Sequence, residues 1–555
     1  MKRSGGRGLA AAWEGLFATL ILCFLVPMAS YGHGQPLRTR HVRKAVWDGQ
    51  AGWEGPLPAK QVMQLDLILP LSNESELDQV LQELYDPRSP SYHQFLSVKE
   101  FTDRFGPSQA QYNEVLKFAR ANGLKVTGTY PNRLVVNVSG TVANVERAFH
   151  VNMGVYHHPT KNRTFFAPDQ EPSPALSFAL WHVSGLDNYS VPHPASLMQA
   201  AKPLGWRRSG ATGSGPYGYF IGSDMRAAYY GGTALTGAGQ AVGLVEFAGY
   251  NPADVANYFK KVGQTCNVPI RGVALNGSSL NCTGSCDDTE QVLDIEQAIS
   301  MAPGLSQVRV YVSTSSDSSI FNKMASENIC KSLACSWGWS PADPSVDDPI
   351  FKELAAQGQT LFVASGDSGA YNSRSTDVYP ADDAYVTSVG GTDLVTAGAG
   401  GAWKSESAWS HSGGGVSPNR IAIPAYQTAT GVITYANKGS KTYRNSPDVA
   451  AEANTDNYIC YDSTCGGGWG GTSFAAPRWA GYMALANQQA VKSGYKTLGF
   501  INPTLYTTGL GINHSANFHD IISGSNGTYS TTTGYDLVTG WGSPVGSGLI
   551  YTLEP

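Results

Sequence analysis

The sequence predicts an α/β protein whose second half folds as a mainly parallel, doubly wound sheet with helices on both faces. From about Gln240 onward, short apolar strands alternate with helical segments, a pattern that favours a parallel sheet covered on both sides. The 63 glycines and 28 tyrosines are typical of a loop-rich, sheet-containing globule rather than a helical bundle. An α+β domain precedes this half, because Gln61–Leu69 alternates like a strand and helical segments follow it.

The chain has 555 residues, too many for one compact domain. Lys2, Arg3 and Arg7 precede an apolar run over residues 16–28, which is typical of an export signal; a retained anchor is the alternative. A Pro- and Gly-rich stretch near residue 200 is typical of a linker, and its Arg207-Arg208 pair resembles a processing site. We expect this division: signal peptide 1–30, disordered lead-in 31–60, α+β domain 61–190, linker 191–215 and second domain 216–555.

Composition narrows the classes of function. The net charge is −5, only 15% of residues are charged, and no basic block appears, so we expect no nucleic-acid partner. No long apolar segment follows the leader, so we expect a soluble, exported protein without membrane attachment after signal removal.

Cysteine spacing agrees with export. Seven cysteines outside the leader cluster in short-range sets, which suits small disulfide loops in an oxidising compartment. Zinc is the rival interpretation, but the paired Cys-x-x-Cys spacing is missing. Because seven is odd, we expect one thiol to be free or to bond elsewhere.

The stretch Gly470–Pro477 is the first candidate for catalysis. Two glycines precede Thr472-Ser473, and a segment of helical character follows. The hydroxyl of Ser473 would therefore lie at the N-terminal end of a helix. The unpaired N–H groups there can steady a developing anion, as a nucleophilic serine requires. An ordinary serine N-cap is the alternative.

Two carboxylates offer a base. Glu290 and Asp294 are four residues apart on a predicted helix and so share one face, where their carboxyls can hydrogen bond and share a proton. An acidic first turn favoured by the helix dipole is the alternative. The histidines of this half are His411, His514 and His519. Each could be a catalytic base, and a surface or structural role is the alternative.

Asp367 follows an apolar strand, where doubly wound sheets place functional loops. A protonated Asp367 could donate a hydrogen bond to an oxyanion. An Asp-Ser-Gly turn is the structural alternative.

Taken together, these three patches resemble the sedolisin family, the serine-carboxyl peptidases, whose core is subtilisin-like and uses glutamate in place of histidine. The resemblance implies that Ser473 is the nucleophile, Glu290 its base and Asp294 the residue that orients Glu290. It implies that Asp367 is the oxyanion partner. Gly470 stands where many members have serine.

The resemblance extends from about Gln61 to the C-terminal end. The first domain is similar to the family's ferredoxin-like activation propeptide, and its segment 86–101 would meet the substrate cleft. The kumamolisin-type network implies that Glu246 and Trp337 carry hydrogen bonds outward from Glu290. The Ser336–Gly338 backbone would pair with the substrate strand, and Asp377 would line a specificity pocket.

Near the C-terminal end, two aspartates in a glycine-rich region offer oxygen ligands to a hard cation, although a turn-rich loop is the alternative by spacing alone. The resemblance implies one structural calcium ion. Its ligands would be the side chains of Asp520 and Asp536 and the carbonyls of Ile521, Thr532 and Gly534.

The sequence thus predicts a secreted, monomeric, acid-active endopeptidase that is made as a self-processing proenzyme. It would act on polypeptides and be inhibited by its own propeptide. A Ser-His hydrolase using His411, a catalytically silent binding protein of the same fold, and a tripeptidyl exopeptidase of the same family are the alternatives.

Overall fold

The computed structural model describes residues 37–195, 198–199, 212–282, 286–372, 375 and 378–555. The predicted signal peptide, the Arg207-Arg208 pair and Asp377 lie outside the described residues.

The first domain is built on a four-stranded antiparallel sheet. Across the sheet its strands are Lys125–Thr129, Val135–Thr141, Val62–Ile68 and His182–Ser184. The helices of this domain are Lys44–Trp47, Glu74–Leu84, Val98–Arg104, Gln109–Ala121 and Val142–Phe149. In chain order these strands are 62–68, 125–129, 135–141 and 182–184. Helices lie between the first and second of them and between the third and fourth, so the expected ferredoxin-like order is present.

The predicted disordered lead-in is wrong for its described part. Gly52–Pro56 forms a strand that pairs with Met153–His157, which in turn pairs with Thr164–Pro168. Ala45 and Ala51 are buried against this small sheet. Burial of these two small side chains and the strand pairing give the lead-in enough contacts to stay ordered, which its composition did not indicate.

The second domain is organised around an eight-stranded sheet. All neighbours in it run parallel except the pair Thr387–Thr396 and Trp403–Ala408. The path across the sheet is Ile270–Ala274, Gln307–Val312, Ala241–Glu246, Ser332–Cys335, Thr360–Ala364, Thr387–Thr396 and Trp403–Ala408, and Val449–Glu452 also pairs with Thr387–Thr396. This confirms the predicted doubly wound α/β sheet.

Helices cover both faces of this sheet. Thr289–Met301 and Thr472–Lys492 pack together on one face, while Asp317–Glu327 and Asp348–Ala356 lie on the other. The remaining helices and 3-10 turns of this domain are Pro216–Gly218, Gly222–Tyr229, Pro252–Lys261, Pro344–Val346, Ala425–Gln427, Asn502–Gly509, His514–Asn517 and Gly548–Thr552. The first domain packs on the second of these faces, where Leu77 and Leu81 share an apolar cluster with Phe351.

Short strand pairs complete the fold. They are His193–Pro194 with Trp337–Gly338, Thr464–Gly470 with both Asn457–Tyr461 and Met198–Gln199, Gly415–Val416 with Asn445–Ser446, and Phe518–His519 with Ser543–Pro544. Among the described residues, no helix is both long and apolar enough to cross a membrane.

The cysteines form two of the expected small disulfide loops, Cys282–Cys286 and Cys460–Cys465. The expectation of one odd thiol is wrong, because Cys266, Cys330 and Cys335 are all free. The sulfur of Cys335 instead lies 3.4 Å from the carbonyl oxygen of Trp337.

Candidate active site

Ser473 is the second residue of a long buried helix, Thr472–Lys492. The strand Thr464–Gly470 leads into it, and Gly471 makes the turn with a φ of 153°, a conformation that residues with a side chain rarely adopt. Ser473 itself is buried. The structure thus places this serine at the mouth of a helix.

Pro477 leaves one backbone carbonyl in the first turn of this helix without its usual hydrogen-bond donor. It lies four residues after Ser473 and has no N–H to donate to the carbonyl of Ser473. A buried carbonyl needs another donor, and the hydroxyl of Ser336 lies 3.3 Å from it. The hydroxyl of Ser473 in turn donates to the carbonyl of Ser336 at 3.4 Å. Two reciprocal contacts therefore join the two serines.

Glu290 faces Ser473 from the neighbouring helix Thr289–Met301. Burial, and next the charge of Asp294, hold the pKa of Glu290 well above its usual range, while Ser473 lies close enough to oppose the rise. The contact lacks the geometry of a full hydrogen bond, because neither oxygen of Glu290 has such a partner among the described residues. Glu290 is therefore a buried carboxyl group with free acceptor capacity beside a serine.

Asp294 makes its hydrogen bonds away from Glu290. Its Oδ1 accepts from the Ser336 hydroxyl at 2.8 Å. Its second bond is to Glu246, the last residue of the strand Ala241–Glu246. The expected hydrogen bond between Glu290 and Asp294 is not present among the described residues: Ser336 donates to Asp294, the Glu246 carboxyl lies beside it, and Glu290 interacts with it through charge.

Glu246 and Asp294 form a carboxyl pair. Burial raises the pKa of both groups well above their usual range. Their interaction raises the pKa of Asp294 and lowers that of Glu246, so the two carboxyls titrate as a pair. The outer oxygen of Glu246 accepts from Nε1 of Trp337 at 3.0 Å. Trp337, Glu246 and Asp294 thus follow one another in a row, and Glu290 joins this row through charge and not through the predicted hydrogen bond.

Asp367 is fixed one residue away from the nucleophile. Its Oδ1 accepts from the backbone N–H of Thr472 at 2.7 Å and from the Thr472 hydroxyl at 2.8 Å. The N–H of Gly366 donates to the same hydroxyl at 3.0 Å. Because Thr472 precedes Ser473, these bonds place the Asp367 carboxyl beside the first turn of the serine helix.

A cleft of about 780 Å³ opens beside Glu290, between Trp337 and Trp469. The strand Trp337–Gly338 forms one wall, and His193–Pro194 pairs with it in antiparallel register. Trp469 also lines the cleft, and its strand pairs with Met198–Gln199. The predicted substrate-pairing edge at Ser336–Gly338 is therefore covered by the protein's own chain.

The propeptide segment 86–101 does not meet this cleft, contrary to expectation. Its Leu96 N–H donates to the carbonyl of Ala356 at 2.9 Å, and the hydroxyl of Tyr85 donates to the carbonyl of Ala355 at 2.6 Å. The segment therefore covers the end of the helix Asp348–Ala356, on the opposite face of the sheet from the serine helix. Asp377, the predicted specificity residue, lies outside the described residues.

The three histidines considered as catalytic candidates each lie beside an aromatic side chain. His411 is exposed beside Trp409, with ring centroids 5.3 Å apart. His519 stacks on Trp403 at 3.8 Å, and burial lowers its pKa to about 4. His514 lies against Phe518. In the described part of the chain, the serine therefore has carboxyl groups as neighbours and no imidazole.

The predicted calcium loop has its two aspartates anchored to one turn. Oδ2 of Asp520 accepts from the N–H of Gly534 at 3.0 Å, and Oδ2 of Asp536 accepts from the N–H of Thr532 at 3.2 Å. Asp536 also accepts from the N–H of Val538 at 2.9 Å. These bonds hold the loop closed around its backbone carbonyls.

The donors in this loop suit a hard cation. Oδ1 of Asp520 is buried and has no hydrogen-bond partner among the described residues. Within the same part of the chain, the carbonyls of Ile521, Thr532 and Gly534 accept no hydrogen bond either. Carboxylate and carbonyl oxygens are the ligands calcium prefers. The described residues hold no group of three or more His, Cys, Asp or Glu side chains suited to a metal, so the carbonyls would have to supply part of the shell.

Sequence reasoning missed three contributors. Thr472 anchors Asp367, the Ser336 side chain bridges Asp294 to the serine helix, and His193–Ala195 lies on the cleft wall. Of these, only the Ser336 role had a sequence signal: a proline four residues after a serine at a helix start leaves a carbonyl that needs a donor.

Comparison with known proteins identifies both domains. Residues 50–189 match the family described as Pro-kumamolisin, activation domain, and residues 293–498 match the Subtilase family. The chain is 29% identical over 538 residues to kumamolisin of Bacillus sp. (strain MN-32), covering 91% of this chain and 94% of the relative. It is 28% identical over 533 residues to sedolisin of Pseudomonas sp. (strain 101), covering 88% and 86%. It is 26% identical over 573 residues to human tripeptidyl-peptidase 1, covering 90% and 94%.

A solved structure agrees. Pseudomonas sedolisin, described as a serine-carboxyl proteinase complexed with two molecules of pseudo-iodotyrostatin, aligns with a TM-score of 0.52 and 27% identity. The alignment covers 62% of this chain and 98% of that one. Fold and site together define a subtilisin-like serine peptidase preceded by an activation domain. The chain carries a kumamolisin-type activation domain and a subtilase-family domain, and over most of its length it is similar to the peptidases kumamolisin and sedolisin.

Proposed function

We propose that this protein is an exported, acid-active endopeptidase that is made as a self-processing proenzyme. The observation that carries the proposal is the set of neighbours around Ser473: Glu290 on one side and Asp367, held through Thr472, on the other. Acyl transfer by a serine whose proton is taken by a carboxylate needs this set of groups.

In the proposed reaction, Ser473 attacks the peptide carbonyl while Glu290 accepts its proton and later delivers it to the leaving amine. Asp294 keeps Glu290 oriented, and Glu246 and Trp337 complete the chain of contacts behind it. A protonated Asp367 donates a hydrogen bond to the oxyanion of the tetrahedral intermediate. Because Asp367 must keep its proton to do this, activity falls as pH rises toward neutrality.

The route of the chain through the cleft favours endopeptidase over tripeptidyl exopeptidase activity. His193–Pro194 pairs with one wall and Met198–Gln199 pairs with Trp469–Gly470 of the other. The described polypeptide runs back continuously from His193 to residue 37, so the cleft admits a chain that extends well beyond three residues. The tripeptidyl-peptidase relative at 26% identity keeps the exopeptidase as the second candidate.

The same covering of the cleft supports inhibition by the propeptide until acid processing. We propose in addition that residues 1–30 are an export signal, that the protein acts outside the cell and that it is a monomer.

The test uses the full-length chain and its Ser473→Ala variant. We expect the wild-type precursor to shorten and to cleave a denatured protein internally in acid, with peptides identified by mass spectrometry, and the variant to stay at full length. Normal processing of Ser473→Ala, or a pH optimum near 8, would contradict the mechanism. His411→Ala should retain activity, and its inactivity would instead support a Ser-His hydrolase. No turnover of any protein substrate at any pH would support a silent binding protein.

We also propose that the loop between Asp520 and Asp536 binds one calcium ion through these side chains and the carbonyls of Ile521, Thr532 and Gly534. When bound, the ion would stabilise the C-terminal loop and take no part in the chemistry. A ligand that binds only the folded state raises its stability. We expect a chelator to lower the melting temperature of the Ser473→Ala precursor, and calcium to restore it. An unchanged melting temperature would argue against the site.

A further inference from the structure

A small acidic cavity of about 120 Å³ lies where the helix Thr289–Met301 begins. Three aspartates line it, Asp254, Asp288 and Asp462, and none of its described lining residues carries a positive charge. The proposed mechanism uses none of these three carboxyl groups. The charge of this cavity therefore has no counterpart among the described residues that form its walls.

Asp288 holds two walls of the cavity together. Its Oδ2 accepts from the N–H of Asn251 at 2.8 Å, and its Oδ1 accepts from the N–H of Asp462 at 2.9 Å. Asn251 begins the next helix of the wall, and Asp462 lies in the turn that the disulfide Cys460–Cys465 closes. Each carboxylate oxygen has two lone pairs, so both oxygens keep acceptor capacity. Asp288 is thus oriented by backbone donors, as metal-binding carboxylates are.

Asp254 has the atom that indicates a ligand. Its Oδ2 accepts from the side-chain nitrogen of Asn251 at 3.0 Å and from the N–H of Ser463 at 3.1 Å. Its Oδ1 is buried and has no hydrogen-bond partner among the described residues, and the whole residue is only 1% exposed. A buried carboxylate oxygen without a partner costs free energy unless a proton or a cation satisfies it.

The two buried carboxyl groups also act on each other. Burial raises the pKa of Asp288, its two backbone donors oppose the rise, and the charges of Asp254 and Asp462 add to it. Like charges that lie close together in a buried site resist ionising together. A cation bound to both groups would remove this repulsion and would satisfy the free oxygen of Asp254.

We propose that this cavity binds one hard divalent cation, calcium or magnesium, through the carboxyl groups of Asp254 and Asp288. Oxygen ligands favour these ions over softer metals. The described residues hold no group of three or more His, Cys, Asp or Glu side chains suited to a metal, so water completes the shell. A water molecule occupies about 30 Å³ of liquid, so the cavity has room for an ion with several waters.

The site is separate from the proposed calcium loop, with which it shares no residue. An ion here would brace the start of the helix that carries the proposed base, because Asp288 lies two residues before Glu290. It would also brace the hairpin of Asp462, whose second strand carries Trp469 of the cleft. We therefore expect the ion to stabilise this end of the fold and to take no part in breaking the peptide bond.

The experiment counts the ions bound to the full-length Ser473→Ala precursor, which the proposed mechanism keeps intact. Metal-free protein is dialysed against calcium, and separately against magnesium, at about pH 7, well above the ordinary pKa of aspartate. We expect two bound calcium ions, one in the proposed C-terminal loop and one in this cavity. Asp536→Asn should lose the first and keep the second, and Asp254→Asn should do the reverse.

Affinities measured in the Asp536→Asn background isolate the new site. We expect Asp254→Asn and Asp288→Asn each to weaken it about tenfold or more. Asp287→Asn is the matched control, because it removes the same charge from an exposed neighbour outside the cavity lining, and it should stay within about threefold. Melting curves without metal verify that each variant is folded.

The outcomes separate the two metal proposals. An Asp536→Asn chain that binds neither calcium nor magnesium would overturn the inference, and this result does not depend on the folding of any cavity variant. Equal affinities in Asp254→Asn and Asp287→Asn would overturn it as well. A single ion in the parent chain that Asp254→Asn loses and Asp536→Asn keeps would support this site and contradict the C-terminal loop.

Discussion

The hydroxyl of Ser336 lies 2.8 Å from Oδ1 of Asp294 and donates its proton to it. A hydroxyl has one proton, so the bond makes Oδ1 the acceptor oxygen of that carboxyl. The other oxygen, Oδ2, is buried and is left to interact with the neighbouring carboxyl of Glu246. Ser336 thereby fixes the orientation of Asp294, and its hydroxyl oxygen lies 3.3 Å from the carbonyl oxygen of Ser473.

Replacing Ser336 by alanine should therefore disturb catalysis through Asp294. A hydrogen bond to a charged or proton-sharing group contributes about 1.5–3 kcal/mol, so we expect kcat to fall about 10- to 100-fold with little change in KM. The readout is the rate against a peptide substrate over the acid range, where the pH profile should also shift because Asp294 loses a donor. The control is Ser388→Ala, a buried serine whose hydroxyl has no partner among the described residues. Equal losses in both variants would contradict a specific role for Ser336.

Glu290 and Glu296 offer a matched pair on one helix. Both are buried, and burial holds the pKa of each well above its usual range. Only Glu290 approaches Ser473, whereas Glu296 accepts from the N–H of Cys460 at 3.4 Å. We expect Glu290→Gln to abolish self-processing and Glu296→Gln to retain it.

Both changes should raise the melting temperature near neutral pH, because each removes a buried acid that ionises more readily in the unfolded chain than in the folded one. Melting curves at pH 7, in a Ser473→Ala background, measure this effect without self-digestion. Retained processing by Glu290→Gln, or its loss in Glu296→Gln, would contradict the assignment of the base.

The strands and helices around this site could be predicted from periodicity nearly to the residue. The apolar periodicity of the sequence predicts helices over residues 348–357 and about 473–491, and the structure has them at Asp348–Ala356 and Thr472–Lys492. The contacts of Asp294 could not be predicted in this way, because spacing along one helix says nothing about side chains that arrive from other strands. Ser336 and Glu246 reach Asp294 only because parallel strands end at the same edge of the sheet. The strand His193–Pro194 could not be predicted for a similar reason, since its partner Trp337–Gly338 is far along the chain.

Buried acids should make the folded precursor more stable in acid than at neutral pH. Burial raises the pKa of Glu353 and Asp383 to about 8 and that of Asp382 to about 6. In the unfolded chain these groups ionise near their ordinary values of 4.5 and 3.8. The folded state therefore binds more protons between about pH 4 and 8, and its stability is complete below that window and is lost as pH rises through it.

Each unit of pKa difference corresponds to about 1.4 kcal/mol in the limit. We expect the melting temperature of the Ser473→Ala precursor to fall steadily from pH 4 to pH 8, and the fall to be smaller in Glu353→Gln. A melting temperature that rises over this range would contradict the prediction.

Asn132 makes one of the buried polar contacts between the first domain and the second; Asp66 and Asn137 make others, to Ser319. The amide nitrogen of Asn132 donates to Oε2 of Glu353 at 2.8 Å and to the side-chain oxygen of Asn322 at 2.7 Å. These partners lie on the helices Asp348–Ala356 and Asp317–Glu327, so one side chain of the propeptide satisfies two helices of the catalytic domain. Asn132 is 0% exposed, so water does not replace its bonds while the domains are docked.

Asn132→Ala should therefore loosen the propeptide without touching the cleft. Leaving a buried acceptor without its donor costs about 1–3 kcal/mol, so we expect the lag before activity on acidification of the full-length chain to shorten about tenfold or more. In a Ser473→Ala background, hydrogen exchange along Asp348–Ala356 should quicken, because this helix loses its cover more often. Asn113→Ala, an exposed asparagine on the propeptide helix Gln109–Ala121, is the matched control and should change neither quantity. An unchanged lag and unchanged exchange in Asn132→Ala would mean that the remaining contacts, the apolar packing around Leu77 and Phe351 and the bonds of Asp66 and Asn137 to Ser319, hold the domains together without Asn132.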